Sequence, residues 1–292
     1  MLLVTAANGN QGKLLIPKLV AKGHEVRALV RSAGSGDRLK ALGVADVVVG
    51  DIADPDILVR CVRGVSALYH VGPTLHPRER QIGIGLIDAA GEAGVTHVVF
   101  SSVLHAIASD LVQHEIKRAI EEHLLKSGLA YTILQPGNYM LPLKLLPVFT
   151  DGVFRLSWSL DRKQSLVDLD DVTDVAADVL SDPEKHAGAT YELVGNGRYT
   201  AHDLAAILAK VVGRDIWPEQ INADTYFKAW FGEDDPGTRP HELRTLRAIT
   251  AYYSAHDFIG NSNVLTWLLG RAPTTFEAFA VREFAAFRHA EM

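Results

Sequence analysis

Hydrophobic residues fall in short unbroken runs through the first half of the chain, at 2–5, 25–30, 46–49, 67–71, 97–100 and 131–134. Unbroken rather than alternating runs predict strands buried on both faces of a sheet. The helix-length segments between them close on Gly23, Gly94 and Gly128, each where a left-handed residue ends a helix. This alternation predicts an α/β chain with a doubly wound parallel sheet. Pro17 interrupts the first helical pattern and costs it a backbone bond.

After Pro136 the pattern loosens. Residues 164–182 read as one more strand and helix returning to the main sheet. A helix over 201–212 has Thr200 as its N-cap. The expected organisation is a sheet domain over 1–135, joined by 164–182, and a smaller, mostly C-terminal α+β substrate lobe over 136–163 and 183–292. In that lobe, 224–242 mixes Tyr226, Phe227, Trp230 and Phe231 with Gly232, Pro236 and Gly237. It is expected to be a mobile cover, the alternative being a fixed helix whose aromatics are core. Gly83 and Gly85 in IGIGLIDAAG predict close packing against a neighbouring helix of the same chain.

Composition narrows the classes. Of 292 residues, 48% are hydrophobic and 22% charged, which supplies a sizeable core. A net charge of −6 with no basic cluster argues against nucleic acid as a partner. Cys61 is the single cysteine, so no internal disulfide forms and a reducing, cytoplasmic setting is the expectation. No apolar run approaches membrane-spanning length. A monomer or homodimer acting on a small molecule fits this composition.

The chemistry begins at TAANGNQG, residues 5–12, between the first strand and first helix. Glycine there lets backbone approach a pyrophosphate, and the N–H groups of the helix start bind its charge. Thr5, Ala7, Asn8, Gly9, Asn10, Gln11 and Gly12 are the expected contacts; the alternative is an ordinary strand–helix turn. Ala6 replaces an early glycine, and at positive φ it would carry strain of order 1 kcal/mol. NAD sites place an acid about 20 residues further on, for the ribose hydroxyl. Here RALVRSAGSGDR has no acid over 26–36, while Arg31 and Ser32 stand where a 2′-phosphate would lie. That favours NADP(H), with Arg31 as a solvated charge the alternative. Asp51 and Ile52 are candidates for the adenine, or a turn acid and its neighbour. Ligands of such sheets lie outside the strands' carboxyl ends, which adds Val71, Gly72, Pro136, Asn138 and Tyr139. Tyr139 is equally a core tyrosine. No histidine pair has helical ligand spacing, so no metal site is expected.

With these motifs, and with GDIADP, VTHVVFSSV, GLAYTILQPGNYM and VLTWLLGRAPTTFEAF, the chain resembles the NmrA-like group of atypical short-chain dehydrogenase/reductases. The resemblance implies a Rossmann fold that binds NADP(H). It implies either a reductase of a quinone, enone or carbonyl, or a dinucleotide-sensing regulator that acts through a protein partner. Ala6 and Asn8 depart from the group's usual Gly and Thr. Ordinary relatives use a Tyr-x-x-x-Lys pair with a nearby Ser. The matching stretch is QHEIK, with Lys117 at the lysine and Gln113 at the tyrosine. Glutamine exchanges no proton at neutral pH. Ser102 and His105 become candidates beside Lys117, with His105 or His114 as replacement proton donors. Helical geometry sets Gln113, Ile116, Lys117, Ile120 and Leu124 on one inward stripe, and His114, Glu115, Arg118 and Glu122 outward. An inward lysine needs a partner, either a ligand oxygen or Glu121 one turn on.

Overall fold

The structure, a computed structural model, describes residues 1–108, 110–231 and 238–291, without the side chains of 230, 231 and 291. The first elements alternate strictly: β1 (Leu2–Val4), α1 (Asn10–Ala21), β2 (Val26–Val30), α2 (Ala33–Lys40), β3 (Asp46–Val49), α3 (Pro55–Val62), β4 (Ala67–Val71), α4 (Glu79–Glu92), β5 (His97–Ser101), α5 (Val112–Lys126) and β6 (Ala130–Pro136). There follow β7 (Asn138–Met140), α6 (Leu146–Asp151), β8 (Val153–Leu156), β9 (Leu166–Asp168), α7 (Leu169–Ser181), α8 (Pro183–His186) and β10 (Ala189–Leu193). The last elements are α9 (Ala201–Val212), β11 (Trp217–Gln220), α10 (Ala223–Phe231), α11 (Pro240–Ala255), α12 (Asn263–Leu269) and α13 (Phe276–Glu291).

Two compact units result. The first holds the described residues of Met1–Ser109, Gln113–Pro136 and Leu169–Glu192; the second holds the rest. In the first unit the strand order is β10-β6-β5-β4-β1-β2-β3, and every pairing from β6 through β3 is parallel. This is the doubly wound sheet that the apolar runs predict. Its order reverses between β1 and β4, where Leu2 pairs with Val26 on one side and Ala67 on the other. A ligand crevice opens beyond the carboxyl ends of strands at such a reversal.

Local signals explain the elements. Gly23, Gly94 and Gly128 have φ of +82°, +73° and +78°, as helix-closing residues require. Helix α1 runs through Pro17 and buries Leu15, Ile16 and Leu19. Gly83 admits Ile120 of α5 so closely that a Cβ would lie 2.6 Å from its Cδ1, the intrachain packing expected. In the second unit, Thr200 and Asp203 form a reciprocal capping box at α9.

The returning segment differs from the expected 164–182. Helix α7 does join the first unit, held to α1 by Lys18, which pairs with Asp170 at 2.8 Å and Asp174 at 2.5 Å. Strand β9 does not. It pairs with β7 in a two-stranded sheet of the second unit, because Asp168 is drawn to Arg282 of α13 at 2.8 Å. The edge beside β6 is taken by β10, whose half-exposed ATYEL pattern lacks an apolar run.

Candidate functional site

The three non-glycine residues with positive φ among the described residues are Ala6 (+47°), Leu75 (+69°) and His105 (+56°). They follow β1, β4 and β5, so backbone strain gathers along the carboxyl edge of the sheet. Such clustering marks functional loops. Ala6→Gly relieves about 1 kcal/mol of this strain and gives up about 0.4–1 kcal/mol through the freer unfolded chain. Denaturant titration is therefore expected to show a change within about 1 kcal/mol, on the stabilising side. A larger loss would mean that the Ala6 methyl makes a contact the fold needs.

The loop after β1 closes through Gly9 N–H donating to the Ala6 carbonyl at 2.8 Å. No side chain caps α1 and no acid stands in its first turn, which leaves its positive end open to an anion. A Cβ at Gly12 would lie 2.4 Å from the Ala7 carbonyl oxygen, and one at Gly9 would lie 3.0 Å from that of Ala6. Asn8 and Asn10 are exposed, whereas Thr5, Ala7 and Gln11 are buried. Thr5 Oγ1 accepts from Val71 N–H at 2.9 Å and joins β1 to β4. Gln11 accepts from the Tyr69 hydroxyl and donates to Ser101 Oγ at 3.1 Å, tying α1 to β4 and β5. The Thr5 and Gln11 side chains thus brace the loop from beneath.

Beyond β2, Ser35 is a hydrogen-bond hub. Its hydroxyl accepts from Asn8 Nδ2 at 3.1 Å and from Arg38 at 3.2 Å, and lies 3.0 Å from Ser32 Oγ. Arg31 is exposed and has no ion pair among the described residues. Asp51 accepts from Ala53 N–H at 2.9 Å, the turn role held open for it, with Ile52 half-buried beside it.

Lys117 is buried on the inward stripe with Ile116, Ile120 and Leu124. Its partner is not Glu121 but Glu79 at the start of α4, 2.8 Å away, with the two side chains 8% and 1% exposed. The ammonium also reaches the Ser101 carbonyl at 3.4 Å and sits 5.2 Å from the Phe100 ring centre. Gly72 lies against the pair: a Cβ there would meet Glu79 Oε1 at 2.6 Å and Lys117 Nζ at 3.1 Å. Glu121 instead accepts from the Ser102 hydroxyl and from Gln135 Nε2 at 2.8 Å. Burial raises its pKa above the usual carboxyl range, opposed by those bonds and by Lys117.

His114 points inward, contrary to the helical-wheel expectation, because its Nδ1–H donates to the His105 carbonyl at 2.8 Å. Burial lowers its pKa to about 4, so it is neutral at pH 7 and is no proton donor there. His70 stacks on Phe100 with ring centres 5.6 Å apart, and burial, with Lys117, lowers its pKa to about 3. Both histidines are depressed below the ordinary value of 6.5. Their contribution to stability is therefore full above 6.5 and is lost as pH falls toward the folded values. By pH 5 the loss is expected to reach about 2 kcal/mol for each. Urea titrations at pH 7.5 and 5 check this, with His70→Asn and His114→Asn each flattening the dependence.

In the second unit, the Tyr253 hydroxyl donates to Asn138 Oδ1 at 3.3 Å, and Asn138 Nδ2 donates to Gln164 Oε1 at 2.6 Å. The Asn138 side chain is thereby committed within its own unit. Tyr139 beside it lines an aromatic cavity. The expected cover over 224–242 is not what the described residues form. Tyr226 and Phe227 are 9% and 0% exposed and pack with Leu243 and Leu246 as core of α10 and α11. Residues 232–237, with Gly232, Pro236 and Gly237, lie outside the described residues.

The sequence does not single out Ser35, Arg38, Glu79 or Gln164, and it offers Glu121 only as a partner for Lys117. Ser35 and Arg38 had a signal, since SAGSGDR opens a helix where the phosphate-facing residues were sought. The other three are polar residues whose burial follows only from helix and strand packing.

The chain matches the profile of the NmrA-like family over residues 1–259. It belongs to the NmrA-like family. One relative is the NAD(P)H azoreductase of Xenophilus azovorans, 29% identical over 98% of this chain and 99% of that one. Among solved structures, the NADPH-dependent quinone oxidoreductase of Escherichia coli complexed with NADPH superposes with a TM-score of 0.80 at 26% identity, covering 97% of this chain and 100% of that one. The triphenylmethane reductase of Citrobacter sp. complexed with NADP(H) has a TM-score of 0.81 at 25% identity, covering 97% and 99%.

Proposed function

We propose that this NmrA-like chain is an NADPH-dependent reductase of small quinones, enones or carbonyl compounds. The observation that carries the reading is the corner beyond β2, where Arg38 donates to the Ser35 hub, Arg31 is exposed at the end of the strand and no acid stands between 26 and 36. Two guanidinium groups suit a 2′-phosphate, and the acid nearest in sequence, Asp37, comes only after Ser35. The loop fits the rest of a dinucleotide: side-chain-free Gly9 and Gly12 and the uncapped start of α1 suit a pyrophosphate. The azoreductase and quinone oxidoreductase relatives support the same reading.

NADPH, when bound, supplies the hydride. The chain's own groups then handle charge and proton. Lys117, held in place by Glu79, stabilises negative charge as it develops on the substrate oxygen. The proton for that oxygen comes from water, which the Ser102 hydroxyl oxygen orients while its own O–H donates to Glu121. This replaces the tyrosine that Gln113 lacks. Thr5 and Gln11 keep the loop in place, while Asn8, Asn10 and Ser32 would hold the phosphates. Asp51 and Ile52 would hold the adenine, and Val71, Gly72 and Pro136 belong to the same carboxyl edge of the sheet. His105 shapes the loop through its strained backbone.

Isothermal titration tests the cofactor reading. NADPH is expected to bind at least tenfold more tightly than NADH. Arg31→Ala and Arg38→Ala are each expected to weaken NADPH by on the order of 1.5–3 kcal/mol, with little effect on NADH. Equal affinities in the parent protein would overturn it. A sensing role is the second reading, favoured by Gln113 and by the neutralisation of Lys117 by Glu79; it requires binding without turnover.

A further inference from the structure

Ser102 directly follows β5, and its N–H donates to the Leu134 carbonyl at 2.8 Å, so its backbone is fixed against β6. Successive side chains of an extended segment point to opposite faces. Ser101 Oγ accepts from Gln11 Nε2 of α1 at 3.1 Å, and the Ser102 hydroxyl donates to Glu121 of α5. What remains free at Ser102, 6% exposed, is the direction of one hydroxyl hydrogen.

Glu121 differs from its charged neighbours on α5. Glu115 pairs with Arg80, Lys117 with Glu79, Arg118 with Glu122 and His123 with Asp88. Glu121 is half-buried and has no ion pair among the described residues. Two neutral donors hold it instead, the Ser102 hydroxyl and Gln135 Nε2 at 2.8 Å, and both converge on Oε1. An ionised carboxylate has no hydrogen to give. The single hydrogen of Ser102 is therefore committed to Glu121, and its oxygen turns only lone pairs to its other side.

We propose that Glu121, anchored by Gln135, is a positioning residue that locks the Ser102 hydroxyl in an orientation from which it can only accept. A group beside Ser102 must then be a donor, such as a water or a hydroxyl, and a bare carbonyl oxygen finds no hydrogen there. That the lock serves turnover rests on the reductase reading; that it exists does not. Protonation reverses it: the carboxylic acid donates to Ser102, whose own hydrogen swings outward. Burial raises the Glu121 pKa above the ordinary 4.5, opposed by the Ser102 and Gln135 bonds and by Lys117. Lys117 is the charge acting on it from its own helix; β5 and β6 face it with Ser102 and Gln135, both uncharged.

The test follows kcat under saturating NADPH from pH 4.5 to 8 and, separately, the Glu121 carboxyl by ¹³C NMR. The parent is expected to lose kcat on the acid side at the pH where Glu121 titrates. Glu121→Ala frees the hydroxyl and is expected to lower kcat at pH 8 about tenfold, with NADPH affinity within about threefold of the parent. Glu121→Gln keeps an oxygen for both donors, and is expected to hold kcat within about threefold while the acid limb disappears. Ser102→Ala is expected to lower kcat and also to abolish the acid limb, because Glu121 acts through Ser102; in the NMR titration its Glu121 is expected to protonate at higher pH than in the parent. A purely structural carboxylate would keep its acid limb in Ser102→Ala. That result, parental kcat in Glu121→Ala, an acid limb persisting in Glu121→Gln, or a Glu121 titration unmoved by Ser102→Ala would overturn the proposal. If the parent binds NADPH but oxidises it with no acceptor, the reductase reading falls, and the NMR titration alone decides: a rise in Ser102→Ala upholds the lock and no change overturns it.

Discussion

Gly12→Ala is expected to abolish dinucleotide binding. The added methyl would stand 2.4 Å from the Ala7 carbonyl oxygen, 2.6 Å from the Ala7 carbonyl carbon and 2.7 Å from the Ala6 oxygen. All three are backbone, so no rotamer change relieves them; α1 must move away from β1. The start of α1 carries the N–H groups assigned to the pyrophosphate, and displacement by about 1 Å in such a site is enough to cost on the order of 100-fold. Overpacking adds about 1–3 kcal/mol of destabilisation. Gly91→Ala is the matched control, because a Cβ there meets nothing within 4 Å and the residue lies in α4, away from the loop. Fluorescence titration with NADPH is expected to show no saturable binding by Gly12→Ala and parental binding by Gly91→Ala. Normal binding by Gly12→Ala would remove the loop from the site.

The second large effect is at Lys117. Lys117→Ala is expected to lower kcat by about 10²–10³, the scale of one lost oxyanion donor, while NADPH affinity changes less than about tenfold. The same change leaves Glu79, 1% exposed, as an unpaired buried carboxylate, which costs about 3–5 kcal/mol. Lost activity alone would therefore be ambiguous. The double variant Lys117→Met with Glu79→Gln removes both charges and is expected to recover most of the stability and none of the turnover. Recovery of both would make the pair a structural feature and move the catalytic charge elsewhere. Turnover is measured under saturating NADPH, and stability by denaturant titration at the same pH.

The sheet was legible because its signals are local. Unbroken apolar runs mark buried parallel strands, and Gly23, Gly94 and Gly128 announce left-handed helix ends that the structure contains. Gly9 and Gly12 were legible for the same reason, since strand, loop and helix follow one another directly. The inward position of Lys117 follows from helical periodicity, but its partner does not. Glu79 lies on a different helix, and nothing in PRERQ distinguishes a buried carboxylate from a solvated one. His114 was misread because periodicity ignores the carbonyl that His105 turns toward it. Strand β9 was assigned to the main sheet because Leu166 and Val167 look alike in either sheet; the Asp168–Arg282 pair decides, and it joins residues far apart in sequence. Tyr226 and Phe227 suggested a cover because neighbouring glycines and prolines suggested hinges. Their packing against Leu243 and Leu246 is tertiary and left no mark in the local pattern.

The most direct test of the account is oxidation of reduced nicotinamide across a panel of quinones, enones and aldehydes, with NADPH and NADH run in parallel. The account predicts acceptor-dependent oxidation by at least one quinone, a kcat/KM for NADPH at least tenfold above that for NADH, and loss of that activity in Gly12→Ala. Tight, saturable NADPH binding with no oxidation above the Gly12→Ala background for any acceptor would contradict it.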